Sequence, residues 1–163
     1  MLGYGQDIVS ARRFAFLSLG QLTANSTVAA PPRFGCPPGV GKVRVLGLHV
    51  AASAVPVDAD GTCKLNVKVN DISEGQADVL VNGFDLESLD AANELFELEV
   101  AESTEKELTL EAGDVLYAEL VNDSAAIDTN ANITLVVEYI LLPRLQSEED
   151  EPSYVRYPSS YAA

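Results

Sequence analysis

Residues 62–70 read TCKLNVKVN, and every second side chain from Cys63 to Val69 is apolar. The side chains between them are polar or charged, so the segment has the two-residue period of a β-strand with one buried and one solvated face. The same alternation recurs over residues 96–100 and 133–139. The sequence therefore predicts antiparallel strands that each contribute one face to a core.

Further strands are expected on both sides of these segments. Apolar runs bounded by turn residues predict strands at 43–54, 79–82, 107–111 and 114–122. Residues 85–95 interrupt the pattern, because Leu86 and Leu89 follow a candidate cap, Asp85, near helical spacing. About six or seven short strands separated by turns predict an all-β fold, an antiparallel β-sandwich resembling a jelly roll.

Charge is divided unevenly along the 163-residue chain, whose formal net charge is −15. Residues 1–44 carry five basic side chains and one acidic one, a balance of +4, whereas residues 45–163 carry −19. An acidic surface repels phosphate groups, so we expect neither nucleic acid nor an anionic membrane as a partner. The start of the chain lacks the apolar centre of a secretory signal, and we expect folding in a cytoplasm.

These patterns divide the chain into three regions. Residues 1–40 are predicted to be a basic N-terminal arm with a Pro/Gly-rich connector, 41–142 the sandwich, and 143–163 an acidic, Tyr-rich tail. Within the arm, residues 14–19 have the composition of a short strand. We expect this strand to add to the sheet edge of a foreign chain. The alternative is that residues 14–22 are a strand of the chain's own sandwich.

Termini of this composition are usually ordered only where something binds them. We expect both ends of the chain to be ordered, and therefore to lie on other chains. Deletion of residues 1–40 is accordingly expected to abolish partner binding and to leave a soluble, folded domain.

The sequence offers little that would support catalysis or metal binding, since it has one His, two Cys and no Trp. Residues 38–42 depart from a phosphate-binding loop, and residues 58–62 lack ligands that a calcium loop requires. His49 lies within a predicted strand, where a packed residue is expected. Whether Cys36 pairs with Cys63 stays open. We predict a protein that is not an enzyme and holds no cofactor or metal.

An acidic sandwich with a basic, Phe-bearing arm and no active site resembles the jelly-roll decoration (cement) proteins of tailed-phage heads. The resemblance covers mainly residues 41–142. It rests on the strand Lys42–Ser53 leading into Val57–Thr62, on Leu108–Leu116, and on the closing strand Ile133–Leu142. It implies a structural virion protein that binds the major capsid protein on the outer capsid surface, commonly as a trimer, and reinforces the shell. A dimer is the alternative oligomer.

Partner binding is assigned to the arm, where arginines are expected to meet carboxylates and phenylalanines to fill pockets. The predicted partner-binding residues are Arg12, Arg13, Phe14, Phe16, Arg33 and Phe34. The predicted subunit contacts in the tail are Tyr154, Tyr157 and Tyr161. Two other function classes stay open: a phage head-fibre or receptor- or glycan-binding module, and an enzyme or a sandwich subunit of another assembly.

Overall fold

A computed structural model of the chain describes residues 11–21, 26–27, 32–37, 41–56, 63–71, 75–80, 82–100, 108–122 and 131–142. Over these residues the structure is built from antiparallel strands and a single 3-10 turn. The strands are β1 (Arg13–Gln21), β2 (Ser26–Thr27), β3 (Arg33–Gly35), β4 (Lys42–Ala52), β5 (Cys63–Asp71), β6 (Gly75–Asp78), β7 (Phe84–Asp85), β8 (Phe96–Glu97), β9 (Thr109–Leu110), β10 (Val115–Asn122) and β11 (Asn132–Leu142).

The strands form two sheets. Sheet I has the order β1-β11-β4-β8, with β9 also pairing with β4. Sheet II has the order β2-β10-β5-β6, with β3 also pairing with β10 and β7 with β5. The chain crosses between the sheets repeatedly, from β1 to β2, from β3 to β4, from β4 to β5, from β7 to β8, and again before and after β10. This is the connectivity of a jelly roll, and the predicted antiparallel β-sandwich is confirmed.

The core lies between the two sheets, and the predicted alternation supplies it. Leu48 of β4 and Leu135 of β11 are fully buried from sheet I, and Leu65 of β5 and Leu116 of β10 from sheet II. Along β10, buried and partly exposed side chains alternate over all eight residues. Burying such side chains stabilises the fold by about 1.5–3 kcal/mol each, which is why the period of two fixes which face of each strand turns inward.

The predicted arm differs from the structure. β1 pairs with β11 from Arg13↔Tyr139 to Gln21↔Asn132, and β3 pairs with β10. Residues 13–21 and 33–35 are therefore part of the sandwich, and the boundary at residue 41 is wrong for them. The reason is the inner face of β1, where Leu17 and Leu19 are buried and require the core of their own chain. The alternative, in which residues 14–22 are a strand of the chain's own sandwich, is the one observed over residues 14–21, and residue 22 lies outside the described residues.

Smaller differences concern the short elements. In place of the strand predicted at 79–82, the structure has a bridge between Leu80 and Val100. The segment just before it, β6, is the one that pairs with β5. Residues 85–95 contain one 3-10 turn, Leu86–Ser88, and the predicted cap is confirmed because the Asp85 carboxylate accepts a hydrogen bond from the Glu87 amide. Both cysteines are thiols, so Cys36 and Cys63 are not joined by a disulfide.

Candidate binding surfaces

The outer face of sheet I brings together three of the six predicted partner-binding residues. Phe14 and Phe16 lie on β1 and are 54% and 69% exposed. Arg12 precedes them and is also exposed. β1 is the edge strand of sheet I, since among the described residues it pairs only with β11. We call these three residues, with Val136 and Glu138 opposite them on β11, the edge surface.

Cross-strand pairing makes the edge surface continuous with the middle of sheet I. Phe16 lies opposite Val136, which lies opposite His49 on β4. Val136 lies at an outward-facing position of β11 and is nevertheless only 2% exposed. The His49 ring carries a buried Nδ1 that has no hydrogen-bond partner within the described ranges. The edge surface is therefore apolar at Phe16 and becomes polar towards β4.

A second row of the edge surface carries its charges. Phe14 lies opposite Glu138, whose carboxylate Oε1 accepts a hydrogen bond from Arg12 Nη1 at 2.9 Å. The Glu138 side chain is 13% exposed, whereas that of Arg12 is 73% exposed. A Cβ at the neighbouring Gly47 would lie 3.3 Å from His49 Cε1 and 3.4 Å from Glu138 Oε2, so a larger residue there would crowd both. Arg12 thus adds a positive charge beside two exposed aromatic rings.

The other three predicted residues lie elsewhere, which corrects their grouping. Phe34 is 9% exposed, and its ring centroid lies 4.8 Å from that of Tyr139, so it is a core residue that closes the space between the sheets. Arg13 alternates with Phe14 and is partly buried opposite Tyr139. Arg33 lies on sheet II, opposite Tyr117 of β10.

A polar cleft occupies the outer face of sheet II, on the opposite side of the sandwich from the edge surface. Its volume is about 320 Å³. It is lined by Arg33, Asn70, Gln76, Val115, Tyr117 and Glu119. We call it the Tyr117 cleft. Strand register produces it, because Val115, Asn70 and Gln76 lie in one row across β10, β5 and β6, and Arg33 and Tyr117 lie in the next.

Two contacts hold side chains of the Tyr117 cleft in place. The Gln76 amide donates a hydrogen bond to the Tyr117 hydroxyl. Lys68 Nζ lies 2.9 Å from Glu119 Oε2, with both side chains about a quarter exposed. The hydrogen bond between Lys68 and Glu119 raises the pKa of Lys68 above the ordinary value of a lysine. Lys68 therefore stays charged in the neutral range.

The described residues contain no group of three or more His, Cys, Asp or Glu side chains placed to hold a metal ion. Burial, with the charges of Asp114 and Glu111, raises the pKa of the Cys36 thiol, the opposite of what a nucleophilic cysteine requires.

No helix in the described ranges has the length and apolar character needed to cross a membrane. The phosphate-loop and calcium-loop look-alikes lie wholly or partly outside those ranges. So do the tail residues Tyr154, Tyr157 and Tyr161.

Sequence reasoning did not single out Tyr117, Gln76 or Asn70. The alternation of β5 and β10 contains part of the signal, since it places Asn70 and Tyr117 on outward-facing positions. It does not contain the register between strands, and without the register these side chains cannot be assigned to one cleft. Comparison with known proteins adds no further assignment: no family model, no curated protein and no solved structure matches the chain.

Proposed function

We propose that this chain is a non-catalytic structural protein that attaches through the edge surface to the outer surface of a phage capsid and stabilises the shell. The observation that supports this most directly is the pair of phenylalanines on β1. Phe14 and Phe16 are both more than half exposed on an edge strand, in a chain whose net charge otherwise favours solubility. Such residues are typical anchors of a protein interface.

Burial of the two rings against a partner supplies the favourable energy of attachment. Complete burial of a Phe side chain is worth about 1.5–3 kcal/mol, before the costs of association. The backbone of an edge strand also offers N–H and C=O groups to an added strand. β1 therefore combines two aromatic anchors with a backbone that can pair with a capsid segment.

Charge determines the orientation of the proposed complex. Arg12 lies beside the rings, and the basic N-terminal part of the chain contrasts with the −19 of residues 45–163. A capsid surface with carboxylates around an apolar pocket complements the edge surface and is repelled by the acidic remainder. The Arg12 side chain is 73% exposed and has several N–H donors, so it can contact a capsid carboxylate while it keeps its hydrogen bond to Glu138.

The proposed activity requires no reaction. A protein that binds only the assembled shell stabilises it by about 2.7 kcal/mol per site at a hundredfold excess over the dissociation constant. Repeated attachment over a lattice increases the total effect. In the same proposal the chain forms a trimer, with Tyr154, Tyr157 and Tyr161 of the tail contacting a neighbouring copy.

The test is co-sedimentation of the full-length chain with empty heads of the phage that encodes it. We expect saturable binding and a higher disruption temperature of the decorated heads. The double variant F14S/F16S should lose at least about tenfold in affinity, as the removal of two anchors predicts. The matched control is Leu95→Ser, which removes an exposed apolar side chain (60% exposed) next to β8, at the other edge of sheet I.

Binding of the wild type and of L95S, with loss in F14S/F16S, supports the proposal. Absence of wild-type binding to the heads would overturn the capsid assignment. Equal binding by all three chains would overturn the role of the edge surface. Thermal unfolding of each variant, followed by circular dichroism, establishes that the comparison is made between folded proteins.

A further inference from the structure

The Tyr117 cleft has a composition that the proposed attachment through sheet I does not explain. It combines an aromatic ring, two carboxamides, a guanidinium group and a carboxylate within a space of about 320 Å³. This volume is at the lower end of the range for small-molecule sites. The side chains of Arg33 and Asn70 both line the cleft and are exposed, so a ligand can reach them.

The lining suits a ligand that has apolar and hydroxyl-bearing surfaces in one small ring. Tyr117 and Val115 supply the apolar contact, and the ring of Tyr117 is partly exposed. The amides of Asn70 and Gln76 each offer a donor and an acceptor, and the Glu119 carboxylate offers acceptors only. A sugar hydroxyl is both donor and acceptor, so it can satisfy each of these groups, whereas a purely apolar ligand would leave them without partners.

The contacts already present reduce the cost of binding. The hydrogen bond from Gln76 fixes the Tyr117 hydroxyl, and Lys68 holds the Glu119 carboxylate, which retains lone pairs for a ligand. Side chains fixed before binding lose little conformational entropy when the ligand arrives.

The charges disfavour a polyanionic ligand. Glu119 lines the cleft, Asp78 lies opposite Lys68 in the adjoining row, and the whole chain carries −15. Arg33 and Lys68 balance these two nearby carboxylates, so the charge that opposes a phosphate-rich ligand is the −15 of the whole chain, which acts at long range. A neutral ligand does not meet this repulsion.

We propose that the Tyr117 cleft is a binding site for a neutral saccharide, with the sugar ring against Tyr117 and its hydroxyl groups bound by Arg33, Asn70, Gln76 and Glu119. The site lies on the face opposite the edge surface, so a chain attached through sheet I presents it to the surroundings. The proposal goes beyond capsid attachment and does not depend on it.

The test begins with a glycan array of neutral and acidic oligosaccharides, probed with the fluorescently labelled full-length chain. The neutral oligosaccharide with the highest signal is then titrated against the unlabelled chain by saturation-transfer NMR. We expect Tyr117→Ala to weaken binding at least about tenfold, because it removes the stacking surface. Y117F keeps the ring and loses only the hydroxyl, so it should bind with an affinity between those of Y117A and the wild type.

Two further variants keep the outcome interpretable. Gln76→Ala removes an amide from β6, whose side chains are all exposed, so it should weaken sugar binding while the fold stays intact. F14S/F16S should bind the sugar as the wild type does, because it alters only the opposite face. Absence of any glycan binding, binding confined to acidic glycans, or unchanged affinity in Y117A and Q76A would each overturn the proposal. None of these outcomes affects head binding by the edge surface.

Discussion

Phe16 and Phe34 are both apolar residues of the N-terminal quarter of the chain, and their environments are opposite. Phe34 is 9% exposed and packs on Tyr139, whereas Phe16 is 69% exposed. We expect Phe34→Ala to lower the free energy of unfolding by about 3–5 kcal/mol, since truncation leaves a cavity in the core. Phe16→Ala should change it by no more than about 0.5 kcal/mol.

Equilibrium unfolding in urea, with the two variants measured beside the wild type, checks this prediction. The comparison is matched, because both substitutions remove the same atoms from neighbouring parts of the chain. Similar losses for the two variants would show that Phe16 is also buried in the folded chain in solution, and would remove the main support for the edge surface.

The thiol of Cys36 provides a second prediction for a single residue. Burial is the main cause of its raised pKa, followed by the charges of Asp114 and Glu111. A raised pKa means a smaller thiolate fraction at neutral pH, so iodoacetamide should modify Cys36 more slowly in the folded chain than in the urea-unfolded chain. The ratio of the two rates should stay constant below the pKa of the unfolded thiol, about 8.5, and should approach one only above the raised pKa of the folded chain.

Mass spectrometry of timed reactions measures this rate for each cysteine. Cys63 is 1% exposed and serves as the internal control, because it should react only after unfolding. If Cys36 reacts equally fast in the folded and unfolded chains, the thiol does not have the environment described.

At the scale of the elements, the N-terminal strand determines what truncation does. Deletion of residues 1–40 was expected to leave a folded domain, and the structure leads to the opposite expectation. The deletion removes β1, β2 and β3 and uncovers the inner face of β11, including Leu135. We expect the truncated chain to be largely unfolded or insoluble, because buried apolar area is lost along a whole edge of sheet I.

Deletion of residues 1–10 is the matched control, since it leaves every described strand in place. Soluble yield and the thermal unfolding curve should match those of the full chain for this shorter deletion. Cooperative unfolding of the 1–40 deletion at the wild-type temperature would show that β1 is dispensable for the fold.

The long strands could be predicted from the sequence and the short ones could not. β4, β5, β10 and β11 each span eight or more residues and contain several repeats of the apolar period, so their ends were placed within about two residues. β3 has three residues within a Pro/Gly-rich stretch, and β6 has the entirely exposed sequence GQAD. Such segments have no periodic signal, and they become strands because a longer neighbour offers backbone groups to pair with.

At the scale of the whole molecule, composition grouped residues that the fold separates. The six predicted partner-binding residues share a basic, aromatic segment of sequence, and the crossing of the chain from sheet I to sheet II divides them between two outer faces and the core. Arg12 and Arg33 illustrate this, because one lies at the edge surface and the other in the Tyr117 cleft. Only the sheet order and register contain this information, and neither can be inferred from local alternation.

Net charge predicts how the intact molecule behaves as the pH falls. At neutral pH a charge of −15 on each chain opposes contact between the exposed Phe14 and Phe16 of different proposed trimers. Protonation of carboxylates towards the isoelectric point of about 4.2 removes this repulsion. We expect association between the proposed trimers to increase in the wild type as the pH falls from about 7 to about 4.5, where a substantial share of the carboxylates is protonated, as sedimentation velocity measures it. F14S/F16S should associate far less at the same charge, whereas equal association of the two chains would show that the exposed rings do not form the contact.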